Sequence, residues 1–307
     1  MRDPYGINEL NNVPQINDKI CCHIKGCDTR VKKPSRNTPY SKDSLCSKHG
    51  IYVHTKTYIY QDPLRNLLWH ESEDTSLFAK VTKNKRDQRF GHENSEDALT
   101  WNIFRAFHRE KRLHNLVDIL VPNIKPLVEP LIFYWASKEN GALWEQFEQS
   151  SDHFNEESQR RTEPDIILFQ PDGYLIFVEA KFGSTNERHI THLDRYREKD
   201  WFDEVFSNVP HNLYELMRHW LLGTFVANSL GIPFTLVNLV RRAKEADIEE
   251  KFWRAYCNPH SRRRFYRKEW EDIFDAVNIA SLSSNVNENI KHYFNNKTLD
   301  LQPAFSL

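Results

Sequence analysis

Two short apolar runs, Ile166 to Phe169 and Ile176 to Val178, flank the tetrad Gln170-Pro171-Asp172-Gly173 and predict a pair of β-strands joined by a tight turn. In the turn, Pro presets φ and Gly supplies a positive φ. Side chains alternate along a strand, so Asp165, Ile167 and Phe169 share one face, as do Phe177, Glu179 and Lys181. Pairing symmetric about Asp172 sets Asp165 opposite Glu179, Phe169 opposite Leu175 and Glu163 opposite Lys181. The polar groups then gather at one end of one face, unless a bulge shifts the register.

Helical spacing takes over on either side. In Asn94 to Phe107, the residues Glu96, Leu99, Thr100, Ile103 and Phe107 fall on one face, and Asn94 with Asp97 three residues on resembles a capping box. Leu213, Leu216, Met217, Trp220 and Thr224 make a second stripe in a helix expected from His211 to Ser229, with Gly231 able to end it. Phe234 to Val240 reads as a buried strand, and Leu131 to Trp135 as the first core strand. The apolar stretch Trp220 to Val240 is interrupted by Asn228, Ser229, Gly231, Pro233 and Asn238, so helix, turn and strand explain it better than a membrane span. The polar, asparagine-rich Asn285 to Asn296 carries Tyr293 and Phe294, and with Pro303-Ala304-Phe305 it is expected to pack on the core. Helix, hairpin, helix and strand in this order predict an α/β fold.

The chain has 307 residues, enough for a substantial core, and 13% aromatic residues with only nine glycines exclude disorder or low complexity. Its net charge of −1 excludes a uniformly basic nucleic-acid coat, so any DNA attraction must be local. Basic clusters occur at Arg241-Arg242-x-Lys244 and Arg262-Arg263-Arg264-x-x-Arg267-Lys268. No Gly-rich phosphate loop or internal repeat is present.

Two carboxylates a strand apart repel each other, and a hard divalent cation relieves that repulsion while retaining waters for catalysis. With Lys181 beside them, the set has the form of a phosphodiesterase site. Glu163-Pro164-Asp165, Glu179-Ala180-Lys181-Phe182-Gly183-Ser184 and Leu236-Val237-Asn238-Leu239-Val240 together resemble the PD-(D/E)xK nuclease superfamily, in its restriction-endonuclease-like branch, over about residues 90 to 307. The resemblance implies a central mixed sheet flanked by helices and an acidic metal ligand on a preceding helix. Glu96 is that candidate, with Asp97 as the fallback. Glu96, Asp165, Glu179 and Lys181 are then the candidate catalytic residues, and Glu96, Asp165, Glu179 and the Ala180 carbonyl the candidate ligands of one or two Mg2+ or Mn2+ ions. Lys181 would orient or deprotonate water, leaving a 5′-phosphate and a 3′-hydroxyl. Glu163 shares the inward parity and is a candidate supporting residue. In related nucleases a polar side chain on the later helix supports the nucleophile; Glu215 or Arg218 would serve here, although glutamine is the residue expected. His189, His192 and Arg195 are candidate phosphate contacts on what reads as an exposed helix of mixed charge.

The N-terminal region carries separate chemistry. Cys22-x4-Cys27, eighteen intervening residues and Cys46-x2-His49 supply four tetrahedral zinc ligands, with Cys21 able to replace Cys22. Four of the five cysteines lie in this stretch, and the polar start Met1-Arg2-Asp3 gives no support for an oxidising compartment. Between the ligand pairs, Arg30, Lys32, Lys33 and Arg36 form a basic loop of candidate DNA-phosphate contacts.

The expected organisation is a zinc-binding module over 1–58 and a nuclease core over 59–307, with an insertion at about 108–161. The expected activity is a cytoplasmic, metal-dependent endodeoxyribonuclease of restriction or anti-phage defence, acting on DNA as a homodimer or with a protein partner. The competing readings are a nuclease subunit of a transposition, repair or defence complex, a DNA-binding protein with a silent core, and an RNase.

Overall fold

The computed structural model of the protein describes residues 4–11, 18–35, 38–83, 85, 89–122, 124, 126, 128–157, 163–187, 196, 213–255 and 262–307. In chain order its elements are β1 (Lys19–Cys21), β2 (Arg30–Lys32), β3 (Leu45–Cys46), β4 (Ile51–Val53), β5 (Tyr58–Tyr60), α1 (Ser72–Val81), α2 (Glu96–Arg109), α3 (Leu113–Leu120), β6 (Leu131–Tyr134), α4 (Glu145–His153), β7 (Ile166–Gln170), β8 (Tyr174–Ala180), α5 (Tyr214–Leu230), β9 (Phe234–Val240), α6 (Ile248–Ala255), β10 (Arg263–Glu269), α7 (Trp270–Ala276), α8 (Ser284–Asn296), β11 (Thr298–Leu299) and β12 (Gln302–Pro303).

The hairpin β7–β8 pairs in the expected register, with Phe169 opposite Leu175 and Ile167 opposite Phe177. The positive φ of its turn belongs to Asp172 at 57°, not to Gly173. Aspartate tolerates the left-handed region, and the Gly173 N–H closes the turn on the Gln170 carbonyl at 3.0 Å. Five strands form the central sheet in the order β10-β9-β8-β7-β6. β6, β7 and β8 are antiparallel, whereas β8, β9 and β10 are parallel. β8 is therefore the strand at which direction changes, and the start of antiparallel β7 lies beside its carboxyl end.

Strand parity sends side chains into two apolar layers. Ile166, Leu168, Ile176, Val178, Val237 and Leu239 meet α2, α3, α7 and α8 on one side. Ile167, Leu175, Phe177, Leu236 and Phe265 meet α4, α5 and α6 on the other. α5 begins at Tyr214; His211, where the helix was expected to begin, lies outside the described residues. Gly231 caps α5 with φ of 67°, as expected. Gly223 within α5 has a different reason: a Cβ there would stand 2.2 Å from the Phe234 ring, so glycine lets the helix lie on β9. This is the α/β architecture of a mixed sheet flanked by helices.

The stretch at about 108–161, expected as an insertion, supplies α3, the edge strand β6 and α4. Leu113, Leu116 and Leu120 close one layer, and Phe147 and Phe154 the other. The N-terminal module consists of the β1–β2 hairpin and a three-stranded sheet β3-β4-β5 around Ile20, Val31, Ile51, Val53, Tyr58 and Tyr60. Its last strand runs to Tyr60, past the expected boundary at 58, and Leu301 from the C-terminal hairpin β11–β12 completes its core. Among the described residues no helix is long and apolar enough to cross a membrane.

Candidate active site and zinc centre

The acidic cluster assembles at the carboxyl end of β8. Asp165 immediately precedes β7, and its Oδ2 accepts the Ala180 N–H at 2.8 Å, pinning it against the last residue of β8. Glu179 and Lys181 share the face that parity assigns them, with the Lys181 Nζ 2.5 Å from Glu179 Oε1. Glu96 reaches the same place from the first turn of α2. Its Oε2 accepts the Phe182 N–H at 2.6 Å and the Ser184 hydroxyl at 2.8 Å, and its Oε1 lies 3.7 Å from the Lys181 Nζ. Ser95 rather than Asn94 caps this helix, its Oγ accepting from the Ala98 N–H. Serine one position later fits because Glu96 is then the first helical residue. Asp97 instead pairs with Lys85 at 2.8 Å.

A further carboxylate comes from α5. Glu215 lies 3.0 Å from the Lys181 Nζ, so the ammonium stands among Glu179, Glu215 and Glu96. One turn along the same helix face, His219 Nδ1 lies 3.2 Å from Glu179 Oε2. The pattern reading of α5 missed His219, although its spacing of four from Glu215 was the available signal. Arg218 is turned elsewhere: its guanidinium forks onto the buried carboxylate of Glu156, a long-range partner. Glu163 precedes β7 and is half-buried, and the ion-pair partners of Lys181 among the described residues are Glu96, Glu179 and Glu215. His189, His192, Arg195 and Arg36 lie outside the described residues.

Burial sharpens the electrostatics, since Asp165, Glu179, Lys181 and Glu215 are each under a tenth exposed. Burial first, and then the charge of Glu179, push the Asp165 carboxyl well above the usual range. Burial also raises Glu179, but Lys181 and His219 outweigh it and hold this carboxyl well below its ordinary value. Lys181 stays charged because Glu179, Glu96 and Glu215 more than offset its desolvation. Two carboxyls one strand apart are thus driven in opposite directions. Among the described residues the cysteine–histidine group is the one that brings its ligand atoms within 4.8 Å of one another, and the Lys181 ammonium lies among the carboxylates of Glu179, Glu215 and Glu96.

The start of α2 is anchored from three directions. Glu93, buried three residues before Glu96, accepts from the Thr57 hydroxyl at 2.9 Å and from the Thr298 hydroxyl, and its carbonyl accepts from Lys297 Nζ. Its N–H donates to Tyr58 of β5 at 3.0 Å. The N-terminal module, the start of α2 and the C-terminal hairpin meet at this one residue.

Cys22, Cys27, Cys46 and His49 bring their ligand atoms within 4.8 Å of one another. Cys22 rather than Cys21 turns inward, because Cys21 faces outward on β1 beside buried Ile20. A tetrahedral zinc ion sets S···S edges of about 3.8 Å and S···N edges of about 3.5 Å. The observed separations are 3.8 Å for Cys27 to Cys46, 3.5 Å for Cys46 to His49 Nδ1 and 3.6 Å for Cys22 to His49 Nδ1. The first is far too long for a disulfide, and the cysteines are free. The group fits structural zinc. Of the basic-loop residues, Arg30 and Lys32 lie on β2, and Lys33 lies just beyond its end.

The chain finds no match among the curated proteins or among the solved structures. A family model described as "Restriction Endonuclease associating with ARP" matches residues 34–297, which includes Cys46 and His49, both central layers, and every member of the acidic cluster. With that match over most of its length, a mixed sheet between helical layers and an acidic cluster where β8 ends, the chain belongs to the family of restriction endonucleases associating with ARP.

Proposed function

We propose that this protein is a metal-dependent endodeoxyribonuclease that hydrolyses DNA phosphodiester bonds in restriction or anti-phage defence. The observation that carries this reading is the convergence of Glu96, Asp165, Glu179 and Lys181 from α2, the start of β7 and the end of β8. An all-oxygen donor set of this kind suits Mg2+ or Mn2+ rather than a soft metal. Glu96, Asp165, Glu179 and the Ala180 carbonyl would hold one or two ions; bound there, such an ion lowers the pKa of a coordinated water and neutralises charge on the phosphate.

The remaining work falls to the chain. Lys181, held among Glu179, Glu215 and Glu96, would orient the attacking water and offset charge on the phosphoryl oxygens. Glu215 keeps an ion pair with Lys181 and so limits how far the ammonium moves. His219 holds the second oxygen of Glu179 in place. Asp165, whose charge burial and Glu179 disfavour, would be one of the residues to hold such an ion.

A second reading, a nuclease that acts only with a partner protein, is favoured by the family description, which specifies association with ARP. Cutting both strands of a duplex also calls for two sites, and hence for a homodimer or a partner. The test is cleavage of supercoiled, linear and single-stranded DNA, and of RNA, in Mg2+ and in EDTA, by the wild type, Lys181→Arg and Asp165→Asn. Lys181→Arg keeps the charge but replaces the compact ammonium with a planar guanidinium that does not fit the same place among the carboxylates. Mg2+-dependent DNA cutting lost in both variants is the expected result. Intact DNA with the protein alone but cutting after a partner is added would establish the second reading, and intact DNA under every condition would overturn both.

A further inference from the structure

In the β1–β2 hairpin, Lys19 stands directly opposite Lys32, and Arg30 stands opposite Cys21. Ile20 and Val31 between them are buried in the module core, so parity turns Lys19, Arg30 and Lys32 outward together, and all three are exposed. Lys33 departs from this face: it lies past the strand end with the opposite parity, and its N–H donates to the Asp18 carbonyl. Like charges directly opposite one another destabilise an antiparallel pair. Among the described residues none of the three outward cations has an acidic partner, whereas Lys48 in the same module pairs with Asp28 at 2.6 Å.

Several cations of the other basic runs behave differently. Arg241 donates to the carbonyls of Phe182 and Ala304, Arg242 pairs with Glu269, and Arg267 binds Glu269 together with the carbonyls of Arg242, Lys244 and Glu245. Those cations are tied to carbonyls and to Glu269 around the segments that follow β9 and β8. The hairpin cations are not so tied among the described residues, yet their scaffold is firm: Cys22 follows β1 directly, and its N–H donates to the Thr29 carbonyl at 2.9 Å just before β2, so the zinc-ligand cluster clamps the ladder at one end.

We propose that Lys19, Arg30 and Lys32 form a phosphate-contacting ladder that holds the DNA backbone while the acidic cluster acts. The choice of DNA over another polyanion rests on the nuclease reading. Such contacts position a duplex without reading its bases, so the ladder contributes affinity and register rather than sequence preference. Three phosphate contacts contribute about 2.7 to the magnitude of the slope of log affinity against log salt, or about 40-fold between 50 and 200 mM.

The test measures fluorescence anisotropy of a labelled duplex across a salt series, in Ca2+ in place of Mg2+, for the wild type, the triple variant Lys19→Gln/Arg30→Gln/Lys32→Gln and the single variant Lys32→Glu. The triple variant is expected to lower the slope by about 2.7. Lys32→Glu sets a carboxylate opposite Lys19, so the hairpin gains an ion pair: bound zinc and thermal midpoint should hold or rise while DNA affinity falls. A triple variant with the wild-type slope would overturn the proposal. So would loss of zinc and midpoint in Lys32→Glu, which would make the ladder a part of the fold, or preference for RNA over the duplex. The nuclease reading fails separately: a wild type that binds DNA through the ladder but never cuts it would sink the activity and leave the surface standing.

Discussion

Removing the Lys181 ammonium should unbalance the acidic cluster. The lysine is 5% exposed and lies 2.5 Å from Glu179, 3.0 Å from Glu215 and 3.7 Å from Glu96. In Lys181→Ala these carboxylates lose their shared cation, and deleting one partner of a buried ion pair costs about 3–5 kcal/mol. With an unfolding entropy of about 2.1 cal/mol/K per residue over 307 residues, each kcal/mol moves the midpoint by about 1.5 °C. The expected drop in EDTA is therefore about 5–8 °C by calorimetry. A divalent cation should then stabilise the variant more than the wild type, because it no longer competes with the ammonium. Metal at a hundredfold its Kd returns about 2.7 kcal/mol, or about 4 °C. Lys181→Arg is the control that retains the charge. A Lys181→Ala midpoint equal to the wild type in EDTA, or equal gains on adding Mg2+, would refute the picture of an ammonium and a metal sharing one set of carboxylates.

Three further outcomes are expected. Asp165→Asn keeps an oxygen for the Ala180 N–H but removes a carboxyl whose pKa is raised; stability tied to its protonated form is present at acid pH and lost as pH rises through the folded value, so the variant's midpoint near neutrality should match or exceed the wild type while DNA cutting disappears. Native mass spectrometry should find one zinc per chain, retained in Cys21→Ser and lost in Cys22→Ser and Cys46→Ser; equal zinc content in all three would exclude the proposed ligand set. His108 is pushed down to about 4 by burial and then by Arg105, so the fold favours its neutral ring: the contribution, about 3 kcal/mol, is complete above pH 6.5 and lost as pH falls towards 4. Chemical denaturation of His108→Asn should show a flatter decline over that window, and an unchanged slope would rule out this assignment.

The sequence made some features legible because their determinants are local. The hairpin register followed from symmetry about Asp172, since a two-residue periodicity leaves few ways to bury both apolar runs. Phe234 to Val240 was readable because a strand buried on both faces is mostly apolar on both parities. The Cys/His cluster was readable through spacing, and only the choice between Cys21 and Cys22 needed the fold. The remaining features depend on partners far along the chain. Arg218 was a candidate for the site until Glu156, 62 positions away, took its guanidinium. His219 gained its role only when α5 was laid against β8. Lys19 had no visible connection to Lys32 until the strands between them paired. The Ser95 cap and the positive φ at Asp172 are single-residue choices among chemically similar neighbours, which pattern alone does not rank.

Glu93 gives the order of assembly a consequence for when the acidic cluster becomes complete. Its carboxylate waits for Thr298, 205 positions later, and its carbonyl for Lys297. Phe305 adds to the same closure by packing on Phe182, whose N–H holds Glu96. During synthesis all four candidate catalytic residues emerge well before these anchors, so the partly made chain carries the residues without the brace that fixes α2. A polypeptide stopped short of Lys297 should therefore retain the sheet-forming segments yet leave Glu96 unregistered, which places the completion of the acidic cluster at the last stage of folding.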